Sequence, residues 1–288
     1  MRIRFLPKLR YLMKKLLATL LLLLCSFACT STAQSISMET SKPVSIDKWV
    51  STHFAKGKIP PFSFTYGGVA SRNFITKWKY AKNILAADEQ GGEKVRYTYT
   101  DPKTGLEVAC DITYFTDFDA VEWVLHFTNT GKSNSLEIAH VKDADIRFRF
   151  PQKGLSLLYT NGSTSSRADF AIQEKHFQTG DTLSMRPHGG RSSNHAIPFF
   201  SIESPLSHQG IVCSIGWTGT WHTDLIATSP NELAMTSGIE TFQSYLKPAE
   251  TIRMSSTALC FWKSDNRFDG TNKFRRLIMA HHSRKING

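Results

Sequence analysis

The chain has 288 residues, of which 41% are hydrophobic and 11% aromatic. This composition excludes a disordered chain and allows one large domain or two small ones. The formal net charge is +11, but residues 1–33 carry six Lys or Arg and no acid, so the rest has a net charge of +5. That excess is too small to predict nucleic-acid binding. A basic cluster near the C-terminus is expected to be a solvated helix end or an interdomain surface: Lys273, Arg275, Arg276, Arg284 and Lys285.

The first 33 residues have the pattern of an export signal. Residues 16–24 are almost entirely apolar and follow Lys14 and Lys15, as in a signal peptide, and the run is too short to span a membrane. We expect cleavage after Ala33 and export to the periplasm or cell surface, with a lipoprotein anchored at Cys29 as the alternative. Cleavage leaves three cysteines in apolar alternating runs, expected to be buried thiols, with one disulfide left open: Cys110, Cys213 and Cys260.

Strand-like alternation of apolar and polar residues dominates the chain from residue 95 to 262. It is clearest in residues 95–99, 106–114, 121–127, 146–150, 210–217 and 252–262. Turn residues such as Asn129, Gly131, Gly189 and Gly190 separate these runs, and no helical pattern lies between them. The pattern predicts an all-β fold of antiparallel strands in a sandwich. Residues 34–60 are polar and mixed, and we expect an extended arm or an edge strand there.

One helix is predicted near the C-terminus. Asn272 is placed to cap residues 273–282, in which Phe274, Leu277 and Ile278 share one face. Asp269-Gly270 just before it is typical of a turn.

Five short motifs occur in a fixed order near the end of the chain. They are Gly190-Arg191-Ser192-Ser193, Pro198-Phe199-Phe200, Ile215-Gly216-Trp217-Thr218-Gly219-Thr220-Trp221, Leu246-Lys247-Pro248-Ala249-Glu250 and Asn272-Lys273-Phe274-Arg275-Arg276. In this order and spacing they resemble the N-terminal β-domain of α-galactosidases of glycoside hydrolase family 36. The resemblance covers residues 95–282, and Ala249 departs from it, since the family usually has glycine there.

The resemblance implies a galactose-mutarotase-like supersandwich over residues 34–270 and a connector helix over residues 271–288. In the family, a catalytic barrel follows this helix. Such a barrel needs about 250 residues, and six follow His282. We therefore expect a non-catalytic N-terminal domain, truncated or split from its barrel, without catalytic residues or cofactors of its own.

Two short sequences imitate the catalytic signatures of the family. A retaining glycosidase needs two carboxyl groups about 5 Å apart. Lys263-Ser264-Asp265 matches the nucleophile pattern and Arg167-Ala168-Asp169 the acid/base pattern, but neither has the expected surrounding sequence. We predict that neither aspartate is catalytic.

The polar, Gly-rich segment 186–195 is the best candidate for binding a ligand. A sugar is recognised by planar hydrogen-bonding groups together with an aromatic surface, which Arg191 and a tryptophan would supply. The alternative is structural: Arg191 pairs with a buried carboxylate, the serines cap a turn, and the tryptophans fill the sandwich. For this domain the resemblance implies a packing or substrate-rim role. The candidate binding residues are Arg191, Ser192, Ser193, Trp217 and Trp221.

Two other functions stay open. A free-standing carbohydrate-binding module would require an exposed aromatic beside the Arg191 segment. An aldose epimerase-like enzyme would need its acid and base in one pocket, from His188, His195, Glu203 and Asp224. No metal is expected, since adjacent His281 and His282 on a helix would point about 100° apart. The expected partners are a galactose-containing carbohydrate, a separately encoded catalytic barrel and a second copy of the chain.

Overall fold

A computed structural model of the protein describes residues 34–38, 46–87 and 92–283. The predicted export signal, Cys29, Arg284 and Lys285 lie outside these residues. In chain order the strands are β1 (Gln34–Ser37), β2 (Ser63–Tyr66), β3 (Val69–Ala70), β4 (Lys79–Leu85), β5 (Glu93–Thr100), β6 (Leu106–Phe115), β7 (Ala120–Asn129), β8 (Ile138–Lys142), β9 (Ala144–Arg149), β10 (Leu155–Thr160), β11 (Ile172–Phe177), β12 (Thr182–Met185), β13 (Phe199–Ser204), β14 (Gln209–Gly216), β15 (Trp221–Ser229), β16 (Glu232–Ile239), β17 (Gln243–Ser244) and β18 (Thr251–Lys263).

The described strands form three sheets. The largest has nine strands in the order β11-β10-β13-β14-β18-β7-β6-β5-β4, and all its neighbours are antiparallel. The second has five strands in the order β1-β9-β16-β15-β12, with β1 parallel to β9. The third has the order β17-β8-β2-β3. The predicted all-β class is therefore confirmed.

The two larger sheets share one hydrophobic core. Phe148 and Leu233 of the five-stranded sheet belong to the same buried cluster as Val108, Trp123 and Ile211 of the nine-stranded sheet. Alternate side chains along each strand enter this core, because successive residues of a strand point to opposite faces. The three described cysteines are buried and free, as predicted.

A short helix, α1 (Ile46–His53), lies where we expected only an arm or an edge strand. Its buried residues recur at the spacing of a helical face: Ile46, Trp49, Val50 and His53. The Trp49 ring lies 6.1 Å from that of Trp123, so α1 packs on the core. The expectation of an edge strand is met by β1 alone.

The C-terminal helix, α2 (Phe268–Leu277), begins earlier than the sequence predicted. Asn272 lies inside α2 and does not cap it. The backbone N–H of Phe268 instead donates to the side-chain oxygen of Asn266, at 3.1 Å. Asp269-Gly270 is helical rather than a turn, because Gly270 packs closely against Trp262. A Cβ on Gly270 would lie 2.4 Å from the Trp262 Nε1.

Helix α2 covers the outer face of the nine-stranded sheet. Phe274 and Leu277 join a second buried cluster with Val212, Cys260 and Trp262 of that sheet. At the start of α2, the Arg267 guanidinium bridges two glutamates of the sheet. It lies 2.8 Å from Glu203, whose side chain is only 3% exposed, and 2.9 Å from Glu174.

A π-helical turn over Ile278–His282 follows α2. The Nε2 of His281 lies 3.1 Å from Asp117, and that of His282 lies 3.1 Å from Glu122. Both rings also lie within 5.6 Å of the Phe115 ring. The two histidines thus contact the same aromatic ring but pair with different carboxylates, and their imidazole nitrogens do not converge on one site.

Candidate functional site

The segment 186–195 lies in the connection between β12 and β13, as the sequence predicted. It is joined to the connection between β10 and β11. The backbone N–H of Ser163 donates to the Ser193 carbonyl at 2.9 Å, and Asn161 forms an isolated bridge with Ala196. A Cβ on Gly162 would lie 2.1 Å from the Ser193 carbonyl oxygen, so only glycine allows this approach.

The joined connections enclose an open cleft of about 350 Å³. Its lining side chains offer hydroxyl, amide, imidazole and guanidinium groups, and none is a carboxylate: Ser163, Thr164, Ser165, Arg191, Ser193, Asn194 and His195. Of the predicted binding residues, the structure thus brings Arg191 and Ser193 together. The residues of the first connection were missed, because no sequence pattern links two segments about thirty positions apart.

Arg191 is exposed, and its guanidinium has no carboxylate partner within the described part of the chain. The structural alternative required a buried carboxylate beside it, and the structure does not provide one. Its donors are therefore left to solvent or to a ligand.

Trp221 lies where the structural alternative placed the tryptophans, in the core, and not where a binding residue would lie. It is 0% exposed, and its Nε1 donates to the Ser192 carbonyl at 2.8 Å. Trp221 therefore offers no face to a ligand but fastens the Arg191 segment to the core. Ser192 takes part through its backbone and does not line the cleft. Trp217 is half-buried and packs against the core.

Asp169, one of the two decoy aspartates, organises the first connection. Its carboxylate accepts hydrogen bonds from the backbone N–H of Thr164 at 2.8 Å, the hydroxyl of Ser163 at 2.7 Å and the N–H of Ser165 at 3.0 Å. The backbone hydrogen bond from Thr164, followed by that from the Ser163 hydroxyl, holds the pKa of Asp169 well below its usual range. A carboxylate bound in this way positions a loop and is a poor proton donor.

The other decoy, Asp265, has a side chain that is 98% exposed and lies 3.3 Å from the His208 Nδ1. No second carboxylate faces it among the contacts of the described residues. In the described structure, Asp169 thus holds a connection in place, and Asp265 lies at the surface beside His208.

The residues of the epimerase hypothesis are only partly brought together. The rings of His188 and His195 are 4.6 Å apart. Glu203 pairs with Arg267 under α2, and Asp224 accepts hydrogen bonds from Arg186 and Ser184. The two carboxylates are thus engaged elsewhere and do not join the histidines in one pocket.

A second cleft, of about 490 Å³, lies between the outer face of the nine-stranded sheet and the π-helical turn. Asp111 and Glu122 both line it. Arg96 binds Asp111 through two nitrogens at 2.5 and 2.7 Å, and His282 lies 3.1 Å from Glu122. Because each carboxylate is engaged in an ion pair or hydrogen bond, this cleft does not have the free acid and nucleophile of a glycosidase.

One strongly perturbed acid lies in the interior. Asp143 is fully buried and accepts a short hydrogen bond from the Ser255 hydroxyl. Burial raises the pKa of Asp143 to about 7, and the hydrogen bonds from Ser255 offset part of this effect. Asp143 lines neither of the two clefts described above.

No cluster of three or more His, Cys, Asp or Glu with the geometry of a metal site occurs among the described residues. Of the helices in the described ranges, none has the length and apolar character needed to cross a membrane.

Comparison with solved structures shows which proteins share this fold. The α-galactosidase AgaB from Geobacillus stearothermophilus superposes with a TM-score of 0.60 at 18% identity, covering 80% of this chain and 33% of its own. The α-galactosidase from Lactobacillus brevis gives a TM-score of 0.60 at 16% identity, covering 78% of this chain and 31% of its own. The chain thus spans about a third of the length of these enzymes. No curated protein matches the sequence significantly.

The family comparison covers most of the domain. The family described as "Glycosyl hydrolase family 36 N-terminal domain" matches residues 49–247. This range extends the resemblance towards the N-terminus, to include most of α1 and strands β2–β4. The chain belongs to the glycosyl hydrolase family 36 N-terminal domain family.

Proposed function

We propose that this protein is the non-catalytic N-terminal module of an α-galactosidase-like glycoside hydrolase and acts in carbohydrate metabolism after export. Its sandwich packs beside a catalytic barrel, carried on the same or a separate chain. The cleft lined by Arg191 and Ser193 lies at the rim of the substrate site. The match to the N-terminal family over residues 49–247 is the observation that carries this proposal.

The chemistry of the two clefts supports a role without catalysis. The Arg191 cleft is lined by hydrogen-bonding groups without a carboxylate, so it suits contact with hydroxyl groups but supplies no acid or nucleophile. In the second cleft, Asp111 and Glu122 are both engaged. The catalytic acids are accordingly assigned to the barrel.

The test is an assay of the purified full chain on an aryl α-galactoside. We expect no turnover above the uncatalysed rate. Turnover that disappears in the Asp265→Asn or Asp169→Asn variant would overturn the proposal. The DNA downstream of codon 288 provides an independent test, since a reading frame that encodes a barrel would support the assignment of a separate or continuing catalytic part.

A free-standing carbohydrate-binding module is the second candidate function. It is favoured by the guanidinium of Arg191, which is exposed and has no carboxylate partner among the described residues. Calorimetric titration of the full chain with galactose separates the two candidates. A module that works alone binds the sugar without a barrel, whereas a rim that is completed by the barrel binds it only in the assembled enzyme.

A further inference from the structure

Four side chains of the Arg191 cleft have hydrogen-bonding groups without a protein partner. Within the described part of the chain, no hydrogen bond or ion pair engages the guanidinium, the two hydroxyls and the imidazole nitrogens of this set: Arg191, Ser165, Ser193 and His195. Each of these groups can donate a hydrogen bond, and a guanidinium can only donate. All four line the same cleft, whose lining has no carboxylate. The cleft therefore collects free donors around one positive charge.

The other polar groups of the lining are already engaged. The Ser163 hydroxyl donates to the Asp169 carboxylate at 2.7 Å, and the Thr164 hydroxyl donates to it at 3.2 Å. The Asn194 side-chain amide donates to the His188 carbonyl at 2.9 Å. The protons that remain for a ligand are thus mainly those of the four free groups.

Other arginines of the chain show which kind of group a free guanidinium lacks. Arg96, Arg149 and Arg267 each bind a carboxylate, at 2.5, 2.6 and 2.8 Å. The planar guanidinium matches two oxygens of a carboxylate, sulfate or phosphate, and such charge-assisted hydrogen bonds are roughly twice as strong as neutral ones. At Arg191 a ligand with an oxyanion group would supply what the protein supplies to the other three.

One negative charge lies near the cleft and opposes an anion. Asp169 does not line the cleft but is bonded to Ser163, Thr164 and Ser165, which do. Its carboxylate also accepts from the Ser166 hydroxyl at 3.1 Å, so its charge is spread over several donors. An anion in the cleft would contact Arg191 directly and Asp169 only across the side chains between them. Because Coulomb energy falls with distance and is screened by solvent, the attraction exceeds the repulsion.

Two of the free donors are held on strained backbone. Ser165 has a φ of +65° and His195 a φ of +69°, in the left-handed region that residues other than glycine seldom adopt. Ser165 is fixed there by the hydrogen bond from its N–H to Asp169, at 3.0 Å. Strain of this kind persists where the surrounding structure enforces it, and it is common at ligand sites. The two connections thus hold donors from opposite sides of the cleft in fixed positions.

We propose that the Arg191 cleft is an oxyanion site. It binds a carboxylate or sulfate group through the Arg191 guanidinium and the hydroxyls of Ser165 and Ser193, with His195 as a further donor. The carrier of this group is an acidic sugar, and this part of the inference rests on the proposed function of the domain. A free inorganic anion has the same chemistry and is the other source.

The test is an NMR titration of the ¹⁵N-labelled full chain at constant ionic strength. Backbone amide signals of Ser165, Ser193 and His195 are followed with sodium sulfate, with galacturonate and with neutral methyl α-galactoside. We expect saturable shifts with both anions and at least about tenfold weaker binding of the neutral sugar, because it forms no charge-assisted pair. Tighter binding of galacturonate than of sulfate would identify the acidic sugar as the carrier. Tighter binding of sulfate would identify a free anion, and either order supports the site.

Variants separate the site from general attraction to a positive surface. Arg191→Ala should weaken the binding of each anion at least about tenfold. Arg191→Lys keeps the charge but not the planar fork and should recover part of this loss. Arg167→Ala is the matched control, since Arg167 is an exposed arginine of the same connection as Ser165 but lies outside the lining. It should change binding by less than about twofold, because solvent screens its charge. Thermal unfolding of each variant checks that the fold is retained.

Three results would overturn the oxyanion site. One is the absence of a saturable shift with either anion, and another is equal affinity for the neutral galactoside. The third is an equal loss in Arg191→Ala and Arg167→Ala, which would mean diffuse attraction to surface charge. The non-catalytic role fails by a separate measurement, namely turnover of an aryl α-galactoside, so the failure of one proposal can be told from that of the other.

Discussion

The arginine under helix α2 is paired with carboxylates, whereas the arginine at the cleft is exposed and has no carboxylate partner among the described residues. Under α2, Arg267 is bound by Glu174 and by the buried Glu203, and Trp262 is enclosed by Gly210 and Gly270. Around the cleft, Arg191 is exposed and unpaired within the described residues. The difference separates groups that stabilise the fold from groups that remain available for recognition.

The largest effect is expected on the helix side. Arg267→Ala leaves the Glu203 carboxylate buried without its cation, and we expect it to lower the free energy of unfolding by about 3 kcal/mol. Urea denaturation measures this loss. Arg275→Ala, on the exposed face of the same helix, is the control and should cost less than about 0.5 kcal/mol. The double variant Arg267→Ala/Glu203→Gln should recover part of the loss, and equal costs for the two arginines would contradict the comparison.

An intermediate effect is expected in the interior and depends on pH. Asp143 has a pKa of about 7 in the fold, raised by burial, while the unfolded chain loses this proton near pH 4. Its contribution to stability is complete at low pH and is lost as the pH rises through about 7. Asp143→Asn removes this dependence. The free energy of unfolding of the variant minus that of the unaltered protein should therefore rise by about 2–3 kcal/mol from pH 5 to pH 8.

Urea denaturation of both proteins at several pH values measures this trend. Thr223→Val, which changes a buried side chain that carries no charge, is the control, and its difference from the unaltered protein should stay constant over this pH range. A constant difference between Asp143→Asn and the unaltered protein from pH 5 to pH 8 would contradict an interior acid that holds its proton.

The smallest effect is expected at the cleft. Arg191→Ala and Ser193→Ala each remove an exposed side chain that stabilises nothing in the described structure, so their unfolding free energies should change by less than about 0.5 kcal/mol. Thermal unfolding measures this. A decrease of about 2 kcal/mol in the unfolding free energy of either variant would mean that these residues stabilise the fold. The comparison with α2 would then be wrong.

Much of the fold was predictable because its signals are local. The alternation in β6, β7 and β18 and the buried cysteines followed from period-two patterns. The same pattern also indicates that Trp221 is buried. Trp221 lies on the same face of β15 as Leu225 and Ala227, which are both buried. Helix α1 also left a readable signal, because Ile46, Trp49, Val50 and His53 follow a helical spacing.

The parts that escaped prediction depend on distant contacts. The start of α2 is set by Asn266 and by the contact of Gly270 with Trp262, which overrides the turn preference of Asp-Gly. The cleft exists only because Gly162 allows the approach of the Ser193 backbone. Neither contact can be read from the neighbouring residues in the sequence. Only the segment that contains Arg191 was therefore predicted, and the connection that contains Gly162 was not.

The hydrogen bond between the Trp221 indole and the Ser192 carbonyl has a practical consequence. It couples the Arg191 segment to a fluorophore that water does not reach. A sugar that displaces the Ser192 backbone would alter the indole's hydrogen bond and hence its emission, without touching any tryptophan. The difference between the emission spectra of the unaltered protein and of Trp221→Phe would separate that signal from the emission of the other five tryptophans. The emission of Trp221 would then report changes in the Arg191 segment.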